Sequence, residues 1–115
     1  MALQIPPNRP APGFYWHYKH DPSKGPRDYE YYIYEIGFHT EDDCAPRDRA
    51  MQVYRPLYES AVYTAGRCYD LRPLGMFYEK AMLDGLPVDR FTPITDEATL
   101  AELKRVYLEM YPHPF

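Results

Sequence analysis

Aliphatic side chains are scarce in this chain. Val, Ile, Leu and Phe together number 22 of 115 residues. That is close to the level, about 20%, below which chains of high net charge stay disordered. The second condition is missing, because the formal charge is only −4. Cysteine is nearly absent. Cys44 and Cys68 are too few for a disulfide scaffold, so reduced thiols are expected, with a single Cys44–Cys68 bridge left open by spacing. No apolar run is long enough for a membrane span, no heptad repeats, and no glycine recurs every third residue, which excludes a membrane helix, a coiled coil and a collagen-like chain. The first residues hold only a short apolar stretch and no secretory pattern, so the expected location is cytoplasmic. Basic charge is not in excess either. A pI near 5.5 argues against non-specific nucleic-acid binding, which needs a positive surface to displace counterions.

What the chain has instead is rings. It carries 13 Tyr, 5 Phe and 1 Trp, together with 13 Pro, about twice the average proline usage of roughly 5%. The core must therefore be built from aromatic rings with aliphatics as filler. At this length one domain is expected.

The prolines punctuate the chain into three parts. Residues 1–12 contain Pro6, Pro7, Pro10 and Pro12 and read as an extended, polyproline-type arm. Residues 13–94 read as a barrel of short strands. Composition and alternation predict strands over 14–19, 29–39, 51–58, 61–69, 78–82 and 86–94. Within the second, Tyr31 and Ile33 sit on one parity and Tyr34, Ile36 and Phe38 on the other, so a bulge near residues 33–35 is expected to bring both sets to one side. Residues 21–26 and 40–50 read as loops. Pro56 belongs at an edge or a strand end. Arg72-Pro73 opens a single helical turn, and Asp84-Gly85 is a two-residue hairpin turn. Residues 95–115 form a helix and tail. Thr95 or Asp96 supplies the cap, Leu100, Leu103, Tyr107 and Met110 make one apolar stripe, and Pro112 ends the helix. The sum is a mainly β fold: a small SH3-like barrel or roll, one helical turn, and an added C-terminal α-helix.

Candidate site residues follow from chemistry and placement. His39 and Glu41, two apart at a strand end, can share a face, where His titrates near neutrality and Glu can orient it. His17 and Lys19 share the face of the first strand opposite Trp16 and suit an anion. Arg72, with its planar fork, suits a carboxylate or a ligand anion. Among the tyrosines in excess, Tyr54 and Tyr58 are candidates for an aromatic groove that takes a proline-rich peptide or stacks on a planar ring. His17, His20, His39 and His113 with the two cysteines show no ligand spacing beyond the weak pair His17-x-x-His20, so no metal is assigned. No catalytic residue and no cofactor is assigned.

Several words of the sequence recur together elsewhere. Gly13-Phe14-Tyr15 with His17-Tyr18-Lys19, Tyr31-x-Ile33-Tyr34-x-Ile36 leading to His39-Thr40-Glu41, Val53-Tyr54-x-x-Leu57-Tyr58, Arg72-Pro73-x-x-Met76-Phe77 and Val88-x-Arg90-Phe91 come in an order that resembles DUF1653, a family of small bacterial and phage domains of unknown function. The resemblance implies an SH3-type barrel and brings no activity with it. It gathers His17, His39, Glu41, Arg72 and Met76 at strand ends and the helical turn, as one expected ligand-binding side. The reading is a binding module for a small-molecule, nucleotide-like or peptide ligand on an aromatic barrel face. A small hydrolase or nucleotide-processing enzyme using His39 and Glu41, or a structural accessory protein, are the alternatives. Self-assembly through the arm or the C-terminal helix is left open.

Overall fold

The computed structural model describes residues 9–21, 29–41, 43–66 and 68–111. Most of the arm, the loop at 22–28 and the helix stop at Pro112 lie outside the described residues. Five strands make one antiparallel sheet: β1 (Gly13–His17), β2 (Glu30–Phe38), β3 (Ala50–Pro56), β4 (Asp70–Pro73) and β7 (Phe91–Pro93), in the order β4-β3-β2-β1-β7. β5 (Ala81–Leu83) and β6 (Leu86–Val88) form a separate hairpin. Its turn residues Asp84 and Gly85 both have positive φ, 52° and 79°, as the Asp-Gly pair demands. The helical elements are α1 (Ala61–Thr64), α2 (Leu74–Phe77) and α3 (Glu97–Met110), with a 3-10 turn at Pro46–Asp48.

Of the expected barrel or roll, the closed barrel is not formed: among the described residues β4 and β7 remain the two edges of the sheet. The sheet nevertheless curls. Phe77 lies just past one edge strand, β4, and its ring stacks on Phe91 in the opposite edge strand at 4.4 Å. Two further sequence expectations are corrected. Residues 61–69 are not a strand. Ser60 begins a helical turn there, its hydroxyl accepting from the Tyr63 N–H at 3.3 Å and its carbonyl from the Thr64 N–H at 3.0 Å. Gly66, at φ 77°, follows it. Local side-chain bonding of this kind competes with strand pairing. Residues 86–94 are not one strand either, because β6 turns to pair with β5 and β7 with β1.

The bulge is present. Ile33 pairs with Tyr54 but Ile36 with Gln52, so β2 carries one extra residue. Ile33 and Ile36 thereby face the same side, as expected. Tyr34 does not join them; its hydroxyl is hydrogen-bonded to that of Tyr107 in α3, on the other side. The buried Gln52 amide repairs the ladder, donating from Nε2 to the Tyr34 carbonyl at 2.6 Å.

Both faces of the sheet are apolar. On one, Phe14, Leu57 and Ile94 pack with Leu103, Val106, Tyr107, Met110 and Tyr111. On the other, Tyr15, Ile33, Phe77 and Phe91 pack inside the curl. α3 is capped as the sequence predicts, with the Asp96 carboxylate accepting from the Thr99 N–H at 2.8 Å. Its expected stripe is covered by this chain's own sheet, with Val106 added to it. Arg55, on the same side, is buried with its guanidinium 3.9 Å from the Tyr69 ring and 4.3 Å from the Tyr111 ring. Among the described residues no helix is long and apolar enough to cross a membrane. Cys44 and Cys68 are both free thiols.

Two substitutions test this packing. Leu103 is fully buried, so Leu103→Ala should cost about 2–5 kcal/mol in urea unfolding. The loss should be independent of protein concentration, because the stripe is buried within one chain. Phe77→Ala removes the ring that joins the two edges and should cost about 3–5 kcal/mol. A loss below about 1 kcal/mol at position 77 would mean that the curl is held by something else.

Candidate functional site

The aromatic side of the curl is most densely furnished at the end of β1. His17 is the last residue of that strand and pairs with Phe91. Its ring lies 5.1 Å from Phe91, 5.7 Å from Tyr29, 6.0 Å from Tyr31 and 4.6 Å from Tyr18. Tyr31 in turn meets Tyr54 and Tyr58 edge-on at 5.7 and 5.6 Å. The Tyr31 and Tyr58 hydroxyls share a 2.6 Å hydrogen bond. Burial, then that bond, pushes the Tyr31 phenol well above its ordinary pKa, so it stays neutral.

Cations surround these rings. The pKa of His17 falls from 6.5 to about 4, first through burial and then through the charges of Lys19, Arg90 and Arg72. The imidazole is therefore neutral at physiological pH. Its Nδ1 accepts the Lys19 backbone N–H at 3.2 Å, which places the remaining proton on Nε2. Lys19 and Arg90 also approach the Tyr18 ring, at 6.0 and 5.7 Å. None of Lys19, Arg72 and Arg90 has a carboxylate partner among the described residues, and the buried Nε of Arg90 has no hydrogen-bond partner there. Arg72 belongs to β4, three strands from β1, and stands in register with Gln52 and Ile36; its charge is the smallest of those that lower the His17 pKa.

An open groove of about 370 Å³ lies beside this cluster, lined by Trp16, His17, Tyr18, His20 and Thr92. His20 stacks on Trp16 at 3.9 Å and sets its Nδ1 3.4 Å from the carboxylate of the fully buried Glu30. The weak His17-x-x-His20 pair thus divides its roles: one ring joins the tyrosines and the other partners a buried acid. Among the described residues no group of three His, Cys, Asp or Glu side chains is gathered for a metal.

The structure brings together four of the expected residues, His17, Lys19, Tyr54 and Tyr58, while Arg72 stands in register with Gln52 and Ile36. His39 and Glu41 are elsewhere. They follow β2, whose start adjoins His17, so its nine residues separate them from His17 along the strand. Both are exposed, and Glu41 meets His39 through its backbone N–H, donating to Nδ1 at 3.0 Å. The carboxylate is not what orients that imidazole. Met76 lines a different groove, of about 600 Å³, with Phe38, Arg47, Arg49 and Tyr78. The sequence reading did not choose Tyr29, Tyr31, Arg90 and Phe91. Arg90 and Phe91 stood in one of the recurring words, and strand register with His17 is the property that single-strand alternation does not reveal.

The His17 ring should titrate near pH 4 by NMR. Between about pH 4 and its unfolded value near 6.5, the unfolded chain holds a proton at His17 that the folded chain does not. Stability therefore rises with pH across that window and is lost as pH falls through it. His17→Gln should flatten that part of the stability profile. A His17 midpoint at 6 or above would contradict the burial and cation placement described.

The recurring words, the antiparallel strands that carry them and the ring-lined end of β1 all fall inside one segment. The profile of a family described as proteins of unknown function, DUF1653, matches residues 13–93. No curated protein and no solved structure matches the chain. The match spans well over half of the 115 residues, and the chain belongs to the DUF1653 family.

Proposed function

We propose that the protein is a binding module that holds a small planar anion on the His17 face of its curled sheet. One observation carries this reading: Lys19 and Arg90 approach the Tyr18 ring at 6.0 and 5.7 Å beside the neutral His17, and among the described residues neither has a carboxylate partner. Cations held near one another repel, and a ligand anion relieves that repulsion. The rings supply flat, rigid contact area at low conformational cost. On this reading the sheet is an open version of the SH3-like barrel expected from the sequence, with its ligand on the aromatic concave side. Tyr54, Tyr58, His17 and Lys19 contribute to the surface, joined by Tyr29, Tyr31 and Arg90.

A ring-bearing dianion tests it. Naphthalene disulfonate should bind and shift the backbone amides of residues 15–20 and 89–92. Sulfate, an anion without a ring, and naphthalene methanol, a ring without charge, should each bind at least about tenfold more weakly, a difference of about 1.4 kcal/mol. Arg90→Gln should weaken the disulfonate about five- to tenfold, and His39→Ala should leave it unchanged. Shifts that map to the His39 end of the sheet, or no binding at several millimolar, would remove the proposal.

A further inference from the structure

We infer that the protein forms a two-fold dimer in which each copy sets the tip of its β5–β6 hairpin into the groove beside α2 of the other. Two short strands are marginal by themselves, and in this pair only Ala81 is buried. Beyond it Met82, Leu83 and Leu86 stand 63%, 46% and 66% exposed. Leu83 pairs with Leu86 across the turn, and Met82 with Pro87. Successive pairs face opposite ways, so the tip is apolar on both sides. A flat partner covers one side of such a hairpin, whereas a groove covers both.

A groove of that kind lies where β2 ends, at Phe38, away from His17. It holds about 600 Å³ and is lined by Phe38, Leu74, Met76 and Tyr78 together with Arg47 and Arg49. Phe38 and Tyr78 are both exposed, so apolar surface stands open there as well. None of residues 81–88 lines it, so the chain does not cover this groove with its own hairpin.

Charge selects a second copy as the occupant. Asp84 sits at the tip between the two leucines, and among the described residues no cation lies within ion-pair distance of it. In the groove Arg47 leans toward Asp48 at 3.9 Å, while Arg49 has no carboxylate at that distance among the described residues. An apolar tip with one unmatched acid therefore meets an apolar groove with one unmatched guanidinium. Glu79, which follows α2, also lines the groove, and repulsion turns the tip acid toward Arg49. Tyr78 and Glu79 lead directly into β5, so donor and acceptor surfaces adjoin on each copy. One two-fold operation then satisfies both contacts at once and closes the assembly at two chains. The joint is small on each side, so its dissociation is expected in the micromolar range.

Sedimentation velocity on the full chain, from about 10 µM to about 1 mM, tests the dimer. The mean mass should climb with concentration from that of one chain toward that of two. Leu86→Asp, which spoils the tip, and Gly75→Trp, which fills the groove, should each weaken association at least about tenfold. Neither change disturbs the single chain, because Leu86 is exposed and a Cβ added at Gly75 meets nothing within 4 Å. Arg49→Gln and Asp84→Asn, the second chosen to keep the turn, should each lose about three- to fivefold, and the double variant no more than either alone. A chain that stays monomeric at about 1 mM overturns the dimer; nuclear Overhauser contacts from the Met76 methyl to Leu3 or Ile5 in that monomer would give the groove to the chain's own first residues. A dimer that Leu86→Asp breaks and Gly75→Trp leaves intact overturns the groove as the seat of the hairpin, since the tips then pair with each other. A dimer that survives Leu86→Asp overturns the part assigned to the hairpin.

Discussion

The contact between Phe77 and Phe91 governs the shape of this protein. A five-stranded sheet of short strands has no intrinsic reason to bring its outer members together. Here the residue that leaves one edge strand stacks face to face on a residue of the other. Because of that contact the aromatic side becomes concave, with Tyr15, Ile33, Phe77 and Phe91 packed inside it. The one-residue bulge in β2 is the second half of the same device, since an extra residue bends the strand that carries it. The Gln52 amide holds the bend by bonding the carbonyl that the ladder no longer serves.

Tyrosine suits a fold with two apolar sheet faces and few aliphatic residues. Each ring buries area like Phe, and each hydroxyl then needs a partner. The chain meets that need largely by pairing them: Tyr31 with Tyr58 and Tyr34 with Tyr107. Others use backbone carbonyls, Tyr15 that of Ala11 and Tyr111 that of Pro56. The buried Arg55 follows the same logic. Its charge is met by ring faces, and its Nε donates to the Cys68 carbonyl at 2.5 Å. A polar core of this kind depends on geometry more than an aliphatic one does, because misplacing one hydroxyl leaves two groups unpaired.

Local chemistry was legible in the sequence wherever a short word decides a conformation. Asp84-Gly85 made its turn, Asp96 capped its helix, Pro56 ended its strand, and the parity shift in β2 announced the bulge. What could not be read were pairings between distant segments. Nothing within residues 61–69 shows that Ser60 will hold a helical turn in place of a strand. Nothing near Phe77 shows that the sheet curls far enough to set its ring on Phe91. The same limit explains the site. His17 and Lys19 were legible from one strand, because alternation puts them on one face. His39 and Glu41 satisfied the same local criterion, and only the length of β2 shows that they stand at its other end.

The edges of the sheet carry a consequence for encounters between molecules. β4 ends in Pro73 and β7 in Pro93, and neither residue has an N–H to offer. Open strand edges are templates on which a neighbouring chain can extend the ladder, and proline removes a rung from that template. In a protein whose surface is rich in rings, sticky contact between copies is an inherent hazard. Each outer strand is only three or four residues long, so a single missing donor interrupts much of its length. The curl can stay open without inviting a second sheet to finish it.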